Sequence, residues 1–250
     1  MAGAERSELL GLRFERSDMS AIVVRCLGWC HGPRTTHIVT TANASHLCMM
    51  RRDSALREAC QAADLSVADG MSVVWALRLL GRPVAERVAG IDLMARLLDA
   101  GSRNGLRVYF LGARPDVVGR LLAHCRTRYP TLEIVGARDG YFGPADEPAI
   151  VADIRARAPH VLFIGMPSPF KEVFAEHHRG QLQVPVVIGV GGSFDVLAGV
   201  IARAPVAAQR LGLEWAWRLM LEPRKLWRRY LTTNSEFIWL VCREFVRGRS

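Results

Sequence analysis

Asp69 is the residue best placed to accept a proton. It closes the short run Leu65-Ser-Val-Ala68 and is followed by Gly70 and by the apolar residues Met71, Val73, Val74 and Trp75. A carboxylate at such a boundary is partly desolvated, which raises its pKa and suits it to general-base work. The same position also suits a helix cap, and spacing alone does not separate the two. Other polar or glycine residues end similar runs: Thr41 and Asn43, Gly112, Asp139-Gly140-Tyr141, Gly165 with Pro167, and Gly191-Gly192 with Asp195. Singly, each is an ordinary turn former or cap.

The segment Gly189-Val-Gly-Gly-Ser-Phe-Asp195 is a glycine-rich loop entering a helix, able to offer backbone N–H groups to a diphosphate. Phe194 breaks the dinucleotide glycine spacing, and no GxxxxGK[ST] run occurs. No metal is expected. His177 and His178 are adjacent and diverge on a helix, the six cysteines form no CxxC, and there is no DxD run. No cofactor is expected either.

The elements that must carry these residues alternate. Extended runs at 37–43, 65–69, 107–112, 132–136, 161–165 and 186–190 are separated by helical stretches. This pattern predicts an α/β fold, a Rossmann-like, mostly parallel sheet flanked by helices. In such a sheet, ligands lie outside the carboxyl ends of the strands, where the residues above collect. Residues 1–20 read as a loose polar arm and 21–205 as the α/β catalytic domain. After Pro205 the strands stop, and residues 206–250 read as a helical appendage. The chain has 250 residues, half of them apolar, which excludes wholesale disorder. No 18-residue apolar window occurs, and Glu5, Arg6 and Glu8 stand where a secretory signal would be apolar. A cytoplasmic protein with free thiols is expected.

Several short motifs occur in one order: Thr41-Ala-Asn43, Ala68-Asp-Gly70, Glu86-Arg-Val-Ala-Gly-Ile-Asp92, Gly140-Tyr-Phe142, Gly165-Met-Pro167, the Gly189–Asp195 loop, Ala198-Gly199, Arg203-Ala-Pro205, Leu213-Glu-Trp215 with Arg218, Glu222-Pro-Arg224 and Arg229-Tyr230. In these the chain resembles the WecG/TagA/CpsF glycosyltransferases, which move a sugar from a UDP-sugar to a polyprenyl-diphosphate-linked saccharide at the cytoplasmic membrane face, in cell-surface polysaccharide biosynthesis. The resemblance implies an inverting, metal-independent hexosyltransferase with Asp69 as general base. It implies substrate-binding roles for Thr41, Asn43, Arg87, Tyr141, Gly191, Gly192 and Asp195. Many relatives carry Gln-Glu where this chain has Lys171-Glu172, so Lys171 is expected at a substrate diphosphate.

The formal net charge is +9, and only two of the 33 basic residues, Lys171 and Lys225, are lysines. From Arg210 to Ser250, nine basic residues face four acidic ones, a net of +5, interleaved with Trp215, Trp217, Trp227 and Trp239. Arg218, Arg224, Lys225, Arg228 and Arg229 are therefore expected to meet anionic lipid or the acceptor diphosphate, holding the protein peripherally at the inner membrane face. Homo-oligomerisation is left open. A non-catalytic binder of nucleotide or lipid carrier on the same fold is the alternative. An oxidoreductase lacks its glycine fingerprint, and a nucleic-acid binder leaves the polar sheet edge unexplained.

Overall fold

The computed structural model describes residues 6–247 other than Leu211 and Glu222. The side chains of Arg210, Arg218, Arg224, Lys225, Leu226, Arg228, Arg229 and Tyr230 also lie outside the described residues, and with them the five-residue basic contact expected above.

The chain opens with strands β1 (Arg6–Leu9) and β2 (Leu12–Glu15) and helix α1 (Met19–Cys30). Next come β3 (His37–Ala42), α2 (Ala44–Met49), α3 (Ser54–Ala62), β4 (Leu65–Ala68), α4 (Met71–Leu79) and α5 (Gly90–Asn104). Then follow β5 (Arg107–Gly112), α6 (Pro115–Arg128), β6 (Glu133–Arg138), α7 (Glu147–Arg157), β7 (Val161–Gly165), α8 (Phe170–His177), α9 (Arg179–Leu182) and β8 (Val186–Gly189). Helices α10 (Ser193–Leu197), α11 (Val206–Arg210), α12 (Glu214–Leu221) and α13 (Pro223–Arg247) complete it.

Strands β3 to β8 form a parallel sheet in the order β4-β3-β8-β7-β5-β6, the α/β architecture that the alternating pattern implies. All its strands but the edge strand β6 bury both faces, as a doubly covered sheet requires. Val108, Phe110, Val161 and Phe163 point to the side of α1, α5 and α6, while Tyr109, Leu111, Leu162 and Ile164 point to that of α7, α8 and α9.

The chain leaves β5 toward β6 but leaves β7 toward β8, so the winding direction reverses between β5 and β7. Two glycines let the strand ends close there. A Cβ on Gly112 would lie 2.6 Å from the carbonyl carbon of Gly165, and one on Gly165 would strike the Phe194 ring at 2.3 Å. Phe194 is wholly buried and meets Phe110 edge to face. The aromatic residue inside the glycine-rich loop is thus a core plug.

Residues 6–15, expected within a loose arm, instead form an antiparallel hairpin. Leu9, Leu12 and Phe14 are buried between exposed Glu8 and Arg13. Leu10 and Gly11 take positive φ in the two-residue turn, the geometry that matches strand twist. The hairpin seals a core with α2, α4 and the end of α13, where Phe237, Leu240 and Val241 are buried.

The distal part of the appendage is therefore core. Truncation after Pro205 would uncover Leu47, Val73 and Leu77, each fully buried. We expect the shortened protein to aggregate or to melt well below the full chain in a thermal-shift assay. An equally stable, soluble truncation would show that α13 contributes no core.

Candidate active site

Asp69 follows β4 directly, and its N–H is held by the carbonyl of Ala42 at the end of β3 (2.9 Å). It does not cap α4: the N-cap of that helix is Gly70, with no side-chain cap bond. The Asp69 carboxylate accepts the N–H of Gly90, the first residue of α5. Burial pushes this carboxyl above the ordinary aspartate range. The Gly90 N–H and Arg87 draw it back, and the Glu214 carboxylate adds to the rise.

Thr41 supports this arrangement from below. Its buried hydroxyl donates to the carbonyl of Gly189 (2.8 Å), tying β3 to β8. A Cβ on Gly90 would come within 3.3 Å of Thr41, so the start of α5 rests on that side chain. Asn43 caps α2, its Oδ1 accepting from the N–H groups of Ser45 and His46 (3.0 and 3.3 Å).

Asn43, Asp69 and Arg87 line one cavity of about 550 Å³ between the sheet end, α4, α12 and α13. Arg87 is ion-paired with Glu214 of α12 and lies 3.7 Å from Asp92, whose other oxygen accepts from Arg203 at 2.5 Å. Residues from three separate motifs thus form one chain of charges, Glu214–Arg87–Asp92–Arg203. The turn into α12 crosses α4 at Gly212. Its φ is +71°, and a Cβ there would lie 2.6 Å from Met71.

Tyr141, Gly191, Gly192 and Asp195 do not line this cavity. Tyr141 follows β6 at the far edge of the sheet, Gly191 and Gly192 follow β8 beside β3, and Asp195 lies in α10. Gly191 has φ +52° at the entry to α10, a conformation that favours glycine. Tyr141 is exposed, and Arg114, which follows β5, interacts electrostatically with both Asp195 and Tyr141.

Lys171, expected at a substrate diphosphate, is only 4 % exposed and does not line the cavity. Its stem passes under Gly189, where an added Cβ would be 3.0 Å from Cδ. Its ammonium pairs with Glu172 and donates to Ser168 Oγ (2.8 Å). His46 Nε2 lies 2.7 Å from the same hydroxyl and 2.9 Å from Glu172 Oε1, while its Nδ1 reaches Asn43 Oδ1 (3.2 Å). Burial, reinforced by Lys171, pushes the imidazole down to about 3, so His46 is neutral at neutral pH. Burial pushes the Lys171 amine down to about 8.

Spacing gave no sign of His46, Ser168 or Glu214 as partners of these groups. Glu214, Asp92 and Arg203 did lie inside quoted motifs. Among the described residues, no three His, Cys, Asp or Glu side chains are grouped to hold a metal ion, and no helix is long and apolar enough to cross a membrane.

Residues 7–250 match the Glycosyl transferase WecG/TagA/CpsF family, and the chain belongs to that family. It is 36% identical over 170 residues to the N-acetylglucosaminyldiphosphoundecaprenol N-acetyl-beta-D-mannosaminyltransferase of Bacillus spizizenii. The match covers 68% of this chain and 65% of that relative, a little under two thirds of the relative's length.

Proposed function

We propose that this protein is an inverting glycosyltransferase that moves a sugar from a UDP-sugar to a polyprenyl-diphosphate-linked saccharide at the inner membrane face, in cell-surface polysaccharide synthesis. The observation that carries this reading is the uncapped Asp69 carboxylate. It lies on a cavity beside Arg87, in a chain of this family. The name of the B. spizizenii relative, an enzyme of a diphosphoundecaprenol-linked sugar, supports the lipid acceptor.

In this mechanism Asp69 accepts the proton of an acceptor hydroxyl as that oxygen bonds to the donor's anomeric carbon. The bond from that carbon to the diphosphate oxygen breaks, and UDP leaves with the electron pair. Attack from the opposite face inverts the centre. The leaving charge is met by Arg87, which exchanges its Glu214 partner for phosphate, with the Gly191 and Gly192 amides on the far side. Tyr141 and Asp195 are assigned to the nucleoside and Asn43 to a substrate hydroxyl. Thr41 acts beneath them, by holding Gly90. Lys171 serves the floor of the site through Glu172, Ser168 and His46.

Trp215, Trp227, Trp239, Met220, Leu231 and Val246 are all exposed apolar side chains of α12 and α13. With the net charge of +5 in this segment, they support peripheral attachment to an anionic bilayer.

The test is a panel of UDP-sugars offered with an N-acetylglucosaminyl diphosphate lipid, the product read by mass spectrometry. One donor should give a product heavier by one sugar, with equal rates in EDTA, because arginine and amides carry the leaving charge. Absence of product with every donor would overturn the reading. Loss of turnover in EDTA, restored by Mg²⁺, would overturn its metal-free part. Failure of the protein to sediment with anionic vesicles at low salt would overturn the membrane part.

A further inference from the structure

The cavity that reaches Asp69 has two unlike ends. Its charged groups, Asp69, Arg87 and Glu214, collect with Asn43 toward the sheet edge, and Thr233 and Asn234 of α13 add uncharged polar groups to the lining. Away from the charged groups the walls turn apolar. Helix α4 contributes Met71, Trp75 and Leu79, and α13 contributes Phe237, Ile238 and Val241. Trp75 and Leu79 are one turn apart on a single face of α4. They are 49 % and 56 % exposed, and Ile238 opposite them is 62 % exposed. Phe237 and Val241, by contrast, are anchored in the core beneath, so the base of this apolar arm is fixed while its rim is open.

Solvent-facing apolar side chains on both walls of one trough are costly unless something apolar lies between them. The charge pattern names the occupant. A ligand that fits must carry a polar, anionic head near Arg87 and a hydrocarbon tail leading away from it. We propose that the α4–α13 trough binds the first isoprene units of the acceptor lipid, so that the tail is gripped by protein before it enters the bilayer. The proposal rests on the glycosyltransferase reading and adds a lipid subsite to it. Gripping the tail next to Arg87 fixes the diphosphate, and through it the sugar hydroxyl, at a set distance from Asp69. The test below separates this occupant from two others of the same apolar chemistry, acyl chains of the bilayer and the same face of a second copy.

The test uses the full chain in buffer without vesicles or detergent, at acceptor concentrations below micelle formation. The acceptors are N-acetylglucosaminyl diphosphate esters of methyl, geranyl and farnesyl alcohols. KM should fall about tenfold for each isoprene unit lodged in a half-open trough, with kcat nearly constant. Leu79→Ser and Ile238→Ser place a hydroxyl on exposed rims and should flatten this series. Val24→Ser, on an equally exposed residue of α1, should leave it steep. A KM independent of chain length, or a series that stays steep in both rim variants, overturns the proposal. So does a chain-length effect that appears only when vesicles are added, which assigns the trough to the bilayer. A dimer in sedimentation that Leu79→Ser dissociates, with the series unchanged, assigns it to a second copy and also overturns it.

Calorimetric binding of farnesyl diphosphate and methyl phosphate separates this failure from failure of the enzymatic reading. If no ester is turned over but farnesyl diphosphate binds the wild type much more tightly than methyl phosphate and Leu79→Ser removes the difference, the trough stands and the transferase reading falls. If the two bind alike, the trough falls whatever the turnover.

Discussion

Asp69→Asn is expected to lower kcat by roughly 10²–10⁴-fold, equivalent to about 3–5 kcal/mol of barrier, with the melting temperature nearly unchanged. The asparagine oxygen can still accept the Gly90 N–H that the carboxylate now takes, and α4 loses no cap because Asp69 supplies none. The substitution therefore removes proton-accepting power and little else. Steady-state turnover and a thermal melt on one preparation decide the matter. Wild-type turnover would take Asp69 out of the chemistry, and a large drop in melting temperature would make its role structural.

The second large effect falls on stability. In Lys171→Met the ammonium that neutralises Glu172 is gone, in a place where both side chains are 5 % exposed or less. Glu172 Oε2 already has no hydrogen-bond partner, so the carboxylate has no reserve. Removing one member of a buried pair leaves an uncompensated charge, at a cost of about 3–5 kcal/mol. We expect a melting temperature lower by about 10 °C, with Lys171→Gln milder because its amide still donates to Glu172. If Lys171→Gln instead raised the KM for the UDP-sugar several-fold at an unchanged melting temperature, the side chain would belong at the substrate, as its place after Gly165-Met-Pro167 first implied.

The parallel sheet was legible because its inner strands are buried on both faces and bounded by amphipathic helices, a pattern that needs no partner to be read. Polar residues after the strands were legible for the same reason, since topology alone puts strand ends on one edge. The hairpin at 6–15 was missed because its charged residues, Glu8 and Arg13, mask a three-residue apolar face of Leu9, Leu12 and Phe14. The role of Asp69 turned on a long-range fact, the Gly90 N–H beside it, that local spacing does not encode. Lys171 was misplaced for a related reason. A lysine in a sequence carries no mark of burial, and the groups that make burial tolerable, His46 and Ser168, come from α2 and from the turn before α8. The apolar end of the cavity was hidden too, because Trp75, Leu79 and Ile238 lie on helices about 160 residues apart in the chain.

The proposed role of Asp69 as general base rests on a proton affinity set by its neighbours, and the pH dependence of kcat/KM tests that role most directly. A general base works only when deprotonated, so activity is present above its pKa and lost as pH falls through it. Burial raises that pKa above 3.8, and the Glu214 carboxylate raises it further, while Arg87 lowers it. The acid limb of the wild-type profile should therefore lie above the ordinary aspartate range. In Glu214→Gln, with one negative neighbour removed, the limb should move to lower pH. A profile flat down to pH 4 in the wild type, or a limb that Glu214→Gln leaves in place, would contradict Asp69 as the base.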